Sequence, residues 1–179
     1  MPLYQTDPLQ GTTNMTISQL IQRAGTGNPG PTPVINPNPN PNYLWVNQFG
    51  QQTLDATQNP TATAAIGLIT CASVIMVSTN PNDAPQASVY HANAGVVSAN
   101  DMNQLRLGIS GNPNALPAWN DLLVVYAVAG AWDAGYTGEI NTIVGLGIPA
   151  GQVTWLERVP AGVFGINSLG QVGSPGIVG

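Results

Sequence analysis

Two apolar segments set the frame for this chain. Ile66–Val77 and Ala87–His91 are separated by Thr79-Asn80-Pro81-Asn82-Asp83-Ala84-Pro85. That interval supplies proline for position i+1 of a type I turn, with Asn and Asp beside it. The flanks are rich in Val, Ile, Ala and Tyr, so the pattern predicts an antiparallel hairpin. Partners across such a hairpin keep a constant sum of residue numbers. The segments hold the chain's single cysteine, Cys71, and its single histidine, His91, whose numbers sum to 71 + 91 = 162. Direct pairing therefore needs a turn centred on position 81, and puts both side chains on one face of the sheet. A turn centred on position 83 separates the two by two strand steps on each side.

The remaining chain must supply a fold with few charges. Of its 179 residues 43% are hydrophobic, enough for one domain with a substantial core. Only 6% are charged, against roughly a quarter in an ordinary globular protein. There is no lysine, the basic residues are Arg23, Arg106 and Arg158, and the net charge is -5. A nucleic-acid surface needs clustered basic residues, so nucleic acid is not expected as a partner. Attraction to anionic lipid is disfavoured on the same ground. The longest purely apolar run, Leu122 to Trp132, is too short for a spanning helix, so no membrane insertion is expected. The N-terminal residues have neither the basic region nor the apolar core of a signal peptide. One cysteine permits no internal disulfide.

Taken in order, residues 1–14 read as an irregular lead. Ile17, Leu20, Ile21 and Ala24 follow a helical period that Gly25 ends. Residues 25–42 alternate proline with asparagine over much of their length, which predicts an extended tether with neither helix nor ladder. The expected organisation is thus a short helix and Pro/Asn-rich tether over 1–42 and a compact domain over 43–179. Tyr43–Phe49 reads as a strand and residues 55–63 as a loop. Ser98 and Asp101 form a capping-box pattern ahead of Met102, Leu105 and Ile109 on one helical face. Leu122–Ala129 reads as a central strand covered on both faces. Thr137 is a candidate cap for a helix with Ile140, Ile143 and Val144 inward, ended by Gly147. Val153–Arg158 and Gly162–Ile166 read as strands, followed by a short return at Gln171–Gly173. This order predicts an α/β layered sandwich with a mixed, mainly antiparallel sheet and flanking helices.

These residues also carry a resemblance. Gly67-Leu68-x-x-Cys71 entering an apolar strand, followed by Tyr90-His91, resembles the chemotaxis deamidase CheD and the cytotoxic necrotizing factor type of deamidase toxin. Gly138-Glu139-Ile140-Asn141, Gly147-Ile148-Pro149 and Phe164-x-x-x-Ser168-Leu169-Gly170-Gln171-Val172 resemble the C-terminal pattern of CheD in the same order. The pattern covers roughly residues 60–173, as motifs rather than as an alignment. It departs where those enzymes carry a Thr six residues before the Cys, a position held here by Ala65, with Thr61 and Thr63 nearest. The arginine-bearing stretch of CheD is reduced to Arg158-Val159-Pro160-Ala161-Gly162.

The resemblance implies a CheD-like fold and hydrolysis of a protein glutamine side chain by Cys71 and His91, with no cofactor. The chemistry is sound on its own terms, since an imidazole can take a thiol's proton and make the nucleophilic thiolate. An orienting group should hold the histidine, and Thr63 or a main-chain carbonyl is the candidate. The expected partner is a protein substrate with a reactive Gln. The expected setting is a secreted effector or toxin acting in a target-cell cytosol, with a bacterial chemoreceptor deamidase as an alternative. A different reading is a non-catalytic structural or binding protein in which Cys71 is a small buried hydrophobe. Zinc is disfavoured, because one Cys and one His fall short of three or four protein ligands.

Overall fold

The computed structural model describes residues 4–5, 34–35, 43–55, 62–79, 86–130, 134–157, 162–167 and 171–175. Its strands are β1 (Tyr4–Gln5), β2 (Val34–Ile35), β3 (Tyr43–Val46), β4 (Gln51–Asp55), β5 (Ala62–Leu68), β6 (Ala72–Ser78), β7 (Gln86–Ala92), β8 (Leu122–Val128), β9 (Val153–Leu156), β10 (Gly162–Asn167) and β11 (Gln171–Pro175). Two helices, α1 (Ala99–Ser110) and α2 (Ala134–Gly145), flank β8 in sequence.

One sheet runs β4-β7-β6-β8-β9. Its pairs are antiparallel except β8 with β9. Alternation along these strands separates two cores. Ile75 and Val77, Ala87 and Val89, and Leu123, Val125 and Ala127 face the second sheet. Ala72, Val74 and Met76, Tyr90 and Ala92, and Leu122, Val124, Tyr126 and Val128 face the helices. Every residue of β6 and β8 is buried. Strands covered on both faces are largely apolar, and β8 is so throughout while β6 departs at Ser73 and Ser78.

The second sheet runs β1-β11-β10-β5-β3, with β2 also paired to β11. Val46, Ala65, Leu68, Phe164, Ile166 and Val172 project from it into the inter-sheet core. The helix layer lies across the far face of the first sheet, through Met102, Leu105 and Ile109 of α1 and Ile143 of α2. The layered α/β architecture with mixed sheets and flanking helices therefore holds, as two sheets and one helix layer.

Four expectations need correction. Ile66–Val77 is not one strand: β5 ends at Leu68 in one sheet and β6 begins at Ala72 in the other. Gly67 adopts φ 74, a left-handed conformation that glycine takes without steric cost, and the chain crosses between sheets over Ile69-Thr70-Cys71. Residues 55–63 are not all loop, because Asp55 closes β4 and Ala62 and Thr63 open β5. The strand expected over Tyr43–Phe49 ends at Val46, where Asn47–Gly50 turns the chain into β4. Helix α2 begins at Ala134, so Thr137 lies inside it rather than capping it.

The capping box at the start of α1 is present. Ser98 Oγ accepts from the Asp101 N–H at 3.2 Å, and Asp101 Oδ2 accepts from the Ser98 N–H at 2.8 Å. The helix expected over 17–24 and most of the tether over 25–42 lie outside the described residues. Within the tether, Val34–Ile35 pairs in parallel with Ser174–Pro175, and within the lead Tyr4–Gln5 pairs with Gln171–Val172. Neither Val34 nor Ile35 is proline, so both keep the N–H that a ladder requires.

Candidate active site

The hairpin between β6 and β7 is present, in a register between the two anticipated. Ser73 lies opposite His91 and Ala72 opposite Ala92, a constant sum of 73 + 91 = 164. Continuing that register, Cys71 falls opposite Asn93, just outside the ladder. Cys71 and His91 thus share the inter-sheet face, but on a diagonal rather than directly opposite. Direct cross-strand pairing is the part of the expectation that the register corrects.

Both side chains are withdrawn from solvent. His91 is 2% exposed and Cys71 6%. His91 Nδ1 lies 3.3 Å from the Val46 carbonyl oxygen at the end of β3. A carbonyl can only accept, so Nδ1 carries the proton and Nε2 is left with its lone pair. Nε2 is buried and has no hydrogen-bond partner among the described residues. Burial lowers the imidazole pKa below the ordinary 6.5, opposed in part by the bond to Val46. The ring at neutral pH is therefore neutral, oriented and equipped with a basic nitrogen.

The ring's hydrogen-bond partner is the Val46 carbonyl and not the Thr63 side chain. Thr63 is fully buried on β5, with Leu44 and Ile166 as its register partners. Ala65 pairs with Val46 itself.

The Cys71 thiol donates to Asn93 Oδ1 at 3.8 Å. The same oxygen accepts from Gln48 Nε2. Neither Asn93 nor Gln48 stands out in the sequence. Asn93-Ala94-Gly95 is only a turn signal, and Gln48 falls where a strand was expected.

Three loops converge here at one end of the sandwich. The turn Asn47–Gly50 is tied to His91 through backbone bonds Phe49 N–H to His91 O (3.0 Å) and His91 N–H to Gly50 O (3.1 Å). Ile69–Cys71 connects the two sheets. Residues 93–97 are fixed by the Tyr126 hydroxyl on the Gly95 carbonyl and by Glu139, which accepts from the Val97 N–H at 2.8 Å. None of these three loops contains a charged residue. Each presents one large exposed apolar side chain: Phe49 (68%), Ile69 (76%) and Val96 (58%). No other large hydrophobic side chain is comparably exposed among the described residues. Scattered singly such residues mean little, but these three sit one on each of the loops that adjoin Cys71 and His91 in the chain or through the backbone.

Among the described residues, no three His, Cys, Asp or Glu side chains gather as a metal site would need. No helix there is long and apolar enough to cross a membrane. Compared with models of known protein families and with characterised proteins, the sequence matches none.

Proposed function

We propose that this protein is a cysteine-histidine amidohydrolase that converts a glutamine side chain of a protein substrate to glutamate. The observation that carries the reading is His91: an oriented, neutral imidazole with an unpartnered Nε2, on the same inter-sheet face as the chain's only thiol. A buried polar atom without a partner is costly in a folded protein. Service as a base is a reason to keep one.

Cys71 lies outside the β6 ladder, so rotation about its Cα–Cβ bond can swing the sulfur from Asn93 towards the imidazole. His91 Nε2 then takes the thiol proton, and sulfur adds to the carboxamide carbon. The imidazolium returns that proton to the departing nitrogen, which leaves as ammonia. A thioester remains, water attacks it with His91 as base, and the carbon–sulfur bond breaks to give glutamate and the thiol. An amine in place of water would make the same site a transglutaminase. Exposed Phe49, Ile69 and Val96, taken together as an apolar rim, favour a macromolecular substrate over a small amide. A secreted effector or toxin fits the low charge and absent lysine better than a chemoreceptor deamidase does.

The test is mass spectrometry of a eukaryotic cell lysate incubated with the protein or with Cys71→Ser. Gln-to-Glu conversion at defined sites with the wild type only supports the reading, and its absence across the lysate opposes it.

One observation favours a non-catalytic binding protein. Cys71 is nearly buried, and its thiol is bonded to Asn93 rather than to His91. On that reading the rim is the binding surface and the thiol an inert part of the core, labelled by alkylating reagents only after denaturation.

A further inference from the structure

We propose that the Asn93 side-chain amide is a positioning residue for Cys71: it holds the thiol through Oδ1 and, turned about its own axis, stabilises the thiolate through Nδ2. The proposal rests on the amidohydrolase reading and adds to it a group that neither the motif pattern nor the His91 geometry supplies.

The contacts of the amide carry the inference. Asn93 Oδ1 accepts two donors, the Cys71 S–H at 3.8 Å and Gln48 Nε2–H. Asn93 Nδ2 donates to no group among the described residues. That arrangement suits a protonated sulfur, which is a weak donor. Loss of the proton reverses the requirement, because a thiolate only accepts, and Oδ1 would face it lone pair to lone pair. A half-turn of the amide exchanges Oδ1 for Nδ2–H at the sulfur. The same half-turn leaves Gln48 a partner, since a primary amide offers both a donor and an acceptor and can turn in concert. Hydrogen bonds to a charged group are about twice as strong as neutral ones, so the pair gains most in the thiolate state.

The surroundings leave few competitors. His91, on β7, is the titratable group facing Cys71 from the packed elements among the described residues. Tyr90 and Tyr126 point to the helix side of the same sheet. Glu139 is engaged by the Val97 N–H, and the loops 47–50, 69–71 and 93–97 contain no charge. A neutral amide beside the sulfur therefore acts in a locally uncharged setting, where a single dipole has leverage.

The experiment is the pH dependence of Cys71 alkylation by iodoacetamide in the native protein, for wild type, Asn93→Ala, Asn93→Asp and His91→Ala, with thermal melting to confirm folding. Asn93→Ala should raise the midpoint of the rate profile by about one pH unit. Asn93→Asp, which keeps the shape but brings a negative charge, should raise it further. Rates on the alkaline plateau should stay within about threefold of wild type, since thiolate is then fully formed. Slower alkylation at every pH with an unmoved midpoint would mark a merely structural Asn93 and overturn the proposal. A midpoint moved by His91→Ala but by neither Asn93 variant would overturn it while leaving the amidohydrolase reading intact. No labelling of native wild type at any pH would overturn both.

Discussion

At the scale of single residues, the account turns on a buried neutral histidine. His91 sheds its proton more readily in the folded chain than at its ordinary 6.5, because burial desolvates the imidazolium. As pH falls, the unfolded chain takes up that proton first. The stability present above 6.5 is therefore lost as pH drops towards the lowered folded value. Urea unfolding at a series of pH values should show the decline beginning below about 6.5, and His91→Gln should remove that part of it. An equal decline in both proteins would place its cause elsewhere. The residue scale is also where the sequence was least informative. Cys71 and His91 are legible because each is unique in the chain. The Val46 carbonyl is a main-chain group, and no side-chain pattern can announce it. Thr63 looked suitable by type, yet the imidazole bonds to the main chain of β3, the strand beside the one that carries Thr63.

At the scale of elements, two predictions follow from close contacts. A β-carbon added at Gly165 would lie 2.1 Å from the Thr63 carbonyl oxygen and 2.5 Å from Ala64 Cα. Gly165→Ala must therefore push β10 away from β5, at a cost of about 3 kcal/mol in denaturant unfolding. An unchanged midpoint would contradict that pairing. Ser98→Ala removes the capping-box hydroxyl of α1 and should cost about 1 kcal/mol. Elements with local chemistry were legible for just this reason. The Ser98–Asp101 box, the inward Met102, Leu105 and Ile109, and the continuous run of β8 each carry their signal in adjacent residues. The crossing from β5 to β6 does not. Ile66 and Leu68 are as apolar as Val74 and Ile75, and Ile69-Thr70-Cys71 contains no proline, asparagine or glycine to mark a break. Only Gly67 did so, and it read equally well as part of one strand.

At the scale of the whole molecule, the fold depends on two sheets meeting with a few polar groups between them. Ser73 Oγ–H crosses the interface to the Phe164 carbonyl at 3.0 Å, opposite His91 on the neighbouring strand. Ser73→Ala should lower stability by about 1 kcal/mol and speed amide exchange in β10. Exchange unchanged in β10 would mean that this bond does not couple the sheets. The layered α/β architecture was legible from the order of segments, whereas the division of strands between two sheets was not, because both inner faces carry the same alternation. The proposed Cys71–His91 site lies where this division ends, among three uncharged loops. Its central claim is that His91 activates Cys71 in the folded protein. The most direct measurement is the rate of Cys71 alkylation by iodoacetamide at pH 7 without denaturant, in wild type and in His91→Ala. The account predicts measurable native labelling that His91→Ala slows by about tenfold or more, whereas labelling only after unfolding, or at equal rates in both proteins, would contradict it.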